Sequence, residues 1–393
     1  MIRLHGELIR GGTSKCWIFP EEETRDTGYP TEDLLVAAFN ARDSRQADGI
    51  GGASSTTSKA AIVTASRDPD IDVDYTFAQV GVGQPKVEWA SNCGNCATAV
   101  ALWAAHHGHA IDTNRMALVR LRNTNTGARL RATIPLVADV VPEEGQASVP
   151  GVAGFGVPVL LGFDRPVGST TGTLLPTGHP VDLLHLADGP WAGDHHATLV
   201  DAGAPAALFD AGALGLTGAD DLLDVRAVTP ELTALRREAA LVMGLVEPTA
   251  PVTHAVPKVG VVGPAIDYRT STGEQVRASD YDLSVRMLSM HAPHPVIGLT
   301  SAVAVVAAAL TEGTLPHRVL SPVHGGRVRL GTLGGVVAVT VARDTVGEIT
   351  TVSLERAARR LTESTVLIPL PELSTPRPSS ATVGTSVVEG QIA

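Results

Sequence analysis

The two halves of this 393-residue chain carry the same features in the same order, which limits the choice of fold more than any other pattern. Lys59 precedes a short apolar strand, and Lys258, 199 positions later, precedes another. Cys93 stands ahead of an alanine-rich helix, and His291, 198 positions later, stands ahead of an apolar helix. A glycine turn near the start of each half is the third match. The repeat predicts a duplicated domain, with two helix N-termini facing one cleft.

The position of the domain boundary is predicted by a segment rich in glycine and proline, from about residue 150 to residue 180. So many turn formers argue against long regular elements, so we place the boundary near the end of the segment. The predicted units are an N-terminal domain, 1–185, and a C-terminal domain, 186–370. The Ser-, Thr- and Pro-rich segment 371–393 is predicted to be a flexible tail.

The composition excludes several classes of protein. A hydrophobic content of 44% with 18% charged residues is typical of compact domains rather than disordered chains. No apolar run approaches the roughly 20 residues of a membrane span. A net charge of −11 without a Lys/Arg cluster argues against nucleic acid as a partner. Three cysteines argue against a disulfide framework. We expect a cytoplasmic protein in which local donors bind any anionic substrate.

The polar turn at 92–95 is the strongest candidate for a functional site. It leads into an alanine-rich helix, so the unpaired N–H groups and the positive end of the helix dipole face whatever precedes the helix. Such a position suits an anion and favours a thiolate, so Cys93 is expected to be ionised near neutral pH, as a base or nucleophile. The alternative is that Cys93 is an ordinary buried cysteine of the core.

Lys59 is the second candidate because it lies between a polar, hydroxyl-rich glycine loop that starts at Gly49 and a buried strand, 60–63. Removal of water there would lower the pKa of its amine and make it a usable base.

A metal or redox reading of the Cys93–Cys96 pair is the rival interpretation. The C-x-x-C spacing is followed by three histidines, at positions 106, 107 and 109. A four-cysteine zinc site needs a second C-x-x-C, which this sequence lacks, and Cys16 is distant in sequence. We therefore predict no metal at this site.

Six short motifs, in this order, together resemble one family. They are Arg10-Gly11-Gly12-Thr13-Ser14-Lys15, Thr57-Ser58-Lys59-Ala60-Ala61-Ile62-Val63, Asn92-Cys93-Gly94-Asn95, Asn123-Thr124-Asn125-Thr126-Gly127, Leu175-Pro176-Thr177-Gly178 and Met290-His291. Over roughly residues 1 to 370 the chain is similar to the 2-methylaconitate cis-trans isomerases (PrpF-like), which have the diaminopimelate epimerase fold. The resemblance implies an α/β (α+β) protein of two similar domains. Each would be a curled, mainly antiparallel sheet around a central helix, with the active site in the interdomain cleft.

The resemblance also implies an activity. In that family the positions of Lys59 and Cys93 are tied to proton transfer on a small unsaturated di- or tricarboxylate, without metal or organic cofactor. The expected enzyme is thus a cis-trans or allylic double-bond isomerase with a 2-methylaconitate-like substrate. By their positions in the matched turns, the expected carboxylate contacts are Thr13, Ser14, Ser58, Asn92, Gly94, Asn95, Lys258 and His291. Hydrogen bonding within the turn is the alternative role for each side chain, and Lys258 could equally lie on the surface.

Some positions depart from the family pattern. The family usually has glycine at the position of Cys16, asparagine at that of Ala204 and a residue other than cysteine at that of Cys96. Where it has a His-Pro-Ser-Gly motif, this chain has Ser-Pro-Val-His-Gly-Gly at 321–326. These departures bear on the substrate rather than on the fold. They leave one alternative function, a non-catalytic metabolite-binding protein or an accessory partner of an aconitase-like dehydratase. The sequence does not report the oligomeric state, and a homodimer is compatible with it.

Overall fold

A computed structural model describes residues 1–89, 92–249, 256–323, 325–370 and 373. The predicted tail, 371–393, lies outside the described residues except for position 373. The strands are β1 (Ile2–Gly11), β2 (Lys15–Pro20), β3 (Lys59–Ala65), β4 (Val73–Val80), β5 (Val87–Glu88), β6 (Ile111–Asp112), β7 (Met116–Asn123), β8 (Arg129–Pro135), β9 (Val157–Asp164), β10 (Asp182–Leu186), β11 (Gly193–Ala202), β12 (Ala204–Asp210), β13 (Lys258–Gly263), β14 (Tyr268–Arg269), β15 (Gln275–Val276), β16 (Leu283–Ser289), β17 (Ala292–Pro293), β18 (Arg327–Thr332), β19 (Gly335–Arg343) and β20 (Ile349–Ile368). The helices are α1 (Glu21–Arg25), α2 (Thr31–Ala38), α3 (Gly94–His106), α4 (Leu222–Ala227), α5 (Thr229–Val242), α6 (Leu299–Ala309) and α7 (Leu315–Val319).

The strand pairing of the first half recurs in the second. In the first half β1 and β2 form an antiparallel hairpin, β2 is parallel to β3, β3 antiparallel to β4, and β4 parallel to β7. The strands β11, β12, β13, β16 and β18 repeat these relations in the same order. In both halves a central helix lies in sequence between the fourth and the fifth of these strands. It is α3 between β4 and β7 in the first half, and α6 between β16 and β18 in the second.

Both central helices are apolar on every side. Each residue of α3 from Gly94 to Ala105 is buried, and so is every residue of α6. A helix that is apolar all round must be enclosed by other elements, and α3 contacts β1, β2, β3, β7, β8 and β20. Because five of its 13 residues are alanine and its first is glycine, the surrounding strands can approach its backbone closely.

The long strand β20 connects the two ends of the chain. It pairs with β19 of its own half, and also with β1 and β9 near the start of the chain. The predicted boundary at residue 185 stays a prediction, and β20 has partners on both sides of it.

The expectation that the glycine- and proline-rich segment lacks long elements is wrong for β9, which has eight residues. Its apolar residues Val157, Val159, Leu161 and Phe163 alternate and are buried, and this alternation outweighs Pro158 and Gly162.

Within the described part of the chain, none of the helices combines the length and apolar character that a membrane crossing needs.

Candidate active site

Lys59 and Cys93 line the same small cavity, of about 80 Å³, to which both halves of the chain contribute. The cavity lies where β3 and β13 begin and where α3 and α6 start. Seven of the ten residues predicted for the site line it: Ser14, Lys59, Asn92, Cys93, Gly94, Asn95 and Lys258. The structure therefore assembles most of the predicted site in one place.

The N-termini of the two central helices meet at this cavity. Cys93 is the N-cap of α3 and Gly298 is the N-cap of α6. The helices approach so closely that a Cβ added at Gly94 would lie 2.5 Å from the Cβ of Leu299. The first N–H groups of each helix have no acceptor within the helix. Two sets of donors, each with a positive dipole end, therefore point at the same space.

The amine of Lys59 is fixed by its neighbours. Lys59 is the first residue of β3 and is only 8% exposed. Its Nζ donates a hydrogen bond to Oε1 of Gln79 on the adjacent strand and lies 5.0 Å from the centre of the Phe77 ring. Gln79 is oriented in turn, because its Nε2 donates to the carbonyl of Ser58 at 3.1 Å.

Cys93 carries a proton in the free protein. Hydrogen bonding to the thiol of Cys96, together with burial, raises the pKa of Cys93 well above its usual value. The expectation that Cys93 is ionised near neutral pH is therefore wrong, because these effects outweigh the charge of Lys59 and the hydrogen bond from the Cys96 N–H, which favour the thiolate. Burial and Cys16 likewise raise the pKa of Cys96, and the Cys16 thiol donates to the Trp17 carbonyl at 3.6 Å.

Positive groups surround the cavity. Lys258 is half-buried at its wall, and burial and the charge of Lys59 lower the pKa of Lys258 to about 8. Behind the wall, Arg356 is only 4% exposed, and its Nη2 donates to Oδ1 of Asn95 at 2.9 Å. Burial, with the charge of Arg10, lowers the pKa of Arg356 to about 10. Among the described residues that line the cavity there is no aspartate or glutamate.

Two asparagines supply polar groups at the cavity. Asn95 donates through Nδ2 to Oγ1 of Thr13 at 2.9 Å and to Oγ of Ser14 at 3.3 Å. Asn92 accepts a hydrogen bond from the Tyr75 hydroxyl at 2.8 Å. The Nδ2 of Asn92 is buried without a hydrogen-bond partner in the described chain. A buried, unpaired donor is costly unless a ligand accepts from it.

Three predicted residues are not on the cavity wall. Thr13 lies behind Asn95, to which it is hydrogen-bonded. Ser58 is completely buried, and its hydroxyl donates to Oε1 of Gln46 at 2.5 Å, which orders the loop before β3. The side chain of His291 is exposed.

His294 lines the cavity instead, although the sequence did not single it out. Burial and the charges of Lys59, Arg356 and Lys258 lower the pKa of His294 to about 3, so its ring is neutral. Its Nδ1 accepts from the Val296 N–H at 3.0 Å, which assigns the ring proton to Nε2 and makes that atom a donor. Arg356 is the other residue the sequence did not reveal. The signal for it is its place in the alternation of β20, where it shares the buried face with Val352, Leu354 and Ala358.

A second, larger cavity of about 460 Å³ adjoins the first and shares with it Asn92, Lys258 and Thr300. Among the residues that the structure describes, no group of three or more His, Cys, Asp or Glu side chains could hold a metal ion.

Comparison with known proteins gives matches along nearly the whole chain. The model of the PrpF protein family matches residues 1–369. The 2-methyl-aconitate isomerase of Shewanella oneidensis is 34% identical, over 94% of this chain and 98% of that protein. The 3-methylitaconate isomerase of Eubacterium barkeri is 30% identical, over 93% of this chain and 97% of that protein.

Solved structures give the same picture. The crystal structure of a methylitaconate-delta-isomerase matches with a TM-score of 0.79 at 29% identity, over 97% of this chain and 99% of that one. A hydroxyproline epimerase from Agrobacterium vitis matches with a TM-score of 0.53 at 10% identity, over 94% of each chain, which bears on the fold alone. The predicted fold class, a mixed α/β protein of the diaminopimelate epimerase type, is confirmed; its division into two domains stays a prediction.

Proposed function

This chain belongs to the PrpF protein family and is an isomerase, and from that premise we propose that it moves an allylic proton on a small unsaturated di- or tricarboxylate resembling 2-methylaconitate. Neither the fold nor the relatives support the alternative of a non-catalytic binding protein or accessory partner. A cytoplasmic location and a homodimer stay predictions from the sequence.

The observation that supports this proposal most directly is the charge of the cavity. The chain as a whole has a formal net charge of −11, yet Lys59 and Lys258 line the cavity, Arg356 lies behind it, and no described lining residue is acidic. Two helix N-termini add further positive potential. A ligand with two or three carboxylates would neutralise this cluster, whereas a neutral ligand would leave buried cations uncompensated.

The proposed chemistry follows from the positions of the amine and the thiol. We assign the base role to Lys59, whose amine takes the allylic proton, so the C–H electron pair becomes delocalised over the alkene and its carboxylate. The helix N–H groups are already in place to stabilise that negative charge. Cys93, which carries its proton in the free protein, returns a proton to carbon.

The outcome depends on which carbon receives the proton. Protonation at the far carbon shifts the double bond. Protonation at the original carbon, after rotation about the transient single bond, gives cis-trans isomerisation.

The test is a deuterium-exchange NMR screen of aconitate, 2-methylaconitate, itaconate and oxo-acid analogues in D₂O. Lys59→Ala and Cys93→Ala should each lower turnover by about 10² to 10⁴, while circular dichroism shows an unchanged fold. Lys86→Ala is the matched control, because Lys86 is exposed and pairs with Glu88. Full activity in both Lys59→Ala and Cys93→Ala would remove this mechanism.

A further inference from the structure

The larger cavity extends the active site beyond the amine and the thiol. It and the catalytic cavity share Asn92, Lys258 and Thr300, so a ligand bound at Cys93 can continue past Lys258 into it. Its volume of about 460 Å³ falls in the range of about 300 to 1,000 Å³ typical of pockets for drug-sized ligands. The methyl group of a methylaconitate-like substrate would leave most of this space empty.

Several polar groups on the wall of the larger cavity are already engaged by the protein, although the Nδ2 of Asn92 is not engaged by any described residue. Asn125 donates through Nδ2 to the carbonyls of Phe77 and Trp89, and its Oδ1 accepts from the Phe77 N–H. The hydroxyl of Thr126 donates to Asn123 at 2.8 Å. A ligand group placed against Asn125 or Thr126 therefore gains few hydrogen bonds.

The backbone on this wall is engaged in the same way. The N–H of Thr170, another lining residue, donates to the buried carboxylate of Asp201 at 2.8 Å.

Much of the remaining wall is apolar. Ala204, Pro205, Leu245 and Val246 line it. Lys258 is the one cationic side chain among the described lining residues. This cavity can accept one carboxylate at Lys258, and beyond that residue it favours hydrocarbon.

We propose that the substrate is an unsaturated dicarboxylate that carries an unbranched apolar substituent of about four or more carbons, bound in this larger cavity. The inference rests on the proposed function, because it assigns the carboxylates to the catalytic cavity and the substituent to its extension.

The first experiment measures kcat/KM by deuterium-exchange NMR for 3-alkylitaconates with methyl, butyl and hexyl substituents. Each buried methylene contributes about 0.8 kcal/mol, or about a fourfold gain. The wild-type protein should therefore prefer the butyl compound over the methyl compound by at least tenfold.

A pair of variants then locates the substituent. Val246→Phe places a ring in the larger cavity and should lower the butyl-to-methyl ratio of kcat/KM at least tenfold. Val242→Phe is the matched control, because Val242 lies four positions earlier, is 47% exposed and is not part of the lining; its ratio should equal that of the wild type. Loss of folded enzyme lowers kcat/KM for the butyl and methyl compounds by the same factor, so it leaves their ratio unchanged.

The outcomes separate the two proposals. Equal kcat/KM for methyl and butyl compounds, or an unchanged ratio in Val246→Phe, overturns the substrate inference and leaves the isomerase proposal intact. Absence of exchange with every member of the series and with the smaller acids overturns the proposed function itself.

Discussion

Lys258 changes its charge in the pH range where enzymes are commonly assayed. A free lysine side chain has a pKa of about 10.4, but burial and the neighbouring Lys59 lower that of Lys258 to about 8. The amine is therefore mostly charged at pH 7 and mostly neutral at pH 9. If its role is to bind a substrate carboxylate, its contribution to binding disappears over this interval.

We predict that the ratio of wild-type to Lys258→Met kcat/KM falls as the pH rises through about 8. Hydrogen bonds to charged groups contribute about 1.5 to 3 kcal/mol, so the ratio should be about 10 to 150 at pH 6.5 and approach one at pH 9.5. The profile of kcat/KM reports the free enzyme, which is the state described here. The same ratio for Lys86→Met should be flat. A ratio that increases with pH would instead make Lys258 the base.

At the residue scale, local chemistry could be predicted and long-range contacts could not. Ser14, Asn92 and Asn95 stand in turns whose composition is visible in sequence. Arg356 contacts Asn95 across 261 positions of sequence, and no local pattern predicts such a contact. The protonated state of Cys93 was missed for a related reason, because it depends on burial and on how the neighbouring thiol packs.

At the scale of elements, the meeting of α3 and α6 is what forms the catalytic cavity. Gly94 is the first residue of α3 and lies against Leu299, the first residue of α6. The absence of a side chain at Gly94 lets the two helix starts come together.

We predict that Gly94→Ala lowers kcat/KM by about 10²-fold, because a displacement of about 1 Å in an active site has an effect of that size. The added Cβ lies 2.5 Å from that of Leu299, so the helices must separate, at a cost of about 1 to 3 kcal/mol in unfolding free energy. Kinetics and urea denaturation measure the two effects.

A control and a rescue accompany this variant. Gly154→Ala should be neutral, because Gly154 has no atom within 4 Å of the added Cβ. The double variant Gly94→Ala, Leu299→Gly removes the Cβ that the new methyl group meets, and it should recover activity relative to Gly94→Ala. If Gly94→Ala is as active as the wild type, the close approach of the helices is not needed for catalysis.

Most helices and strands could be predicted from the pattern of apolar residues and from the residues that favour turns. The central helices were predicted because both are long apolar runs behind polar turns. The strand β9 was missed because its alternating apolar residues are interspersed with turn formers. Which strands pair depends on contacts that a single sequence does not display.

At the scale of the whole molecule, β20 holds the first half together. Ten residues of β1 pair with it, from Ile2 opposite Ile368 to Gly11 opposite Ala358. The strand β9 pairs with the earlier part of β20, residues 351–358. The internal repeat was visible in sequence, but this return of the last strand to the first was not.

We predict that a fragment of residues 1–185 does not fold, because β1 and β9 then lose a shared neighbour and α3 loses part of its cover. A second fragment, with residues 345–370 joined by a short loop ahead of residue 1, should fold, since Ile368 and Ile2 are already opposite each other. Dispersion in the ¹H–¹⁵N NMR spectrum distinguishes them. A well-dispersed spectrum from 1–185 alone would show that β20 is dispensable there.

The pairing of β1 with β20 also has a consequence for biosynthesis. The partner of Ile2 is made 366 residues later, which at ribosomal rates of 5 to 20 residues per second takes about 20 to 70 seconds. For that interval the nascent first strand has an open hydrogen-bonding edge and an apolar face without its cover. The yield of this protein should therefore depend on chaperones that shelter emerging chains.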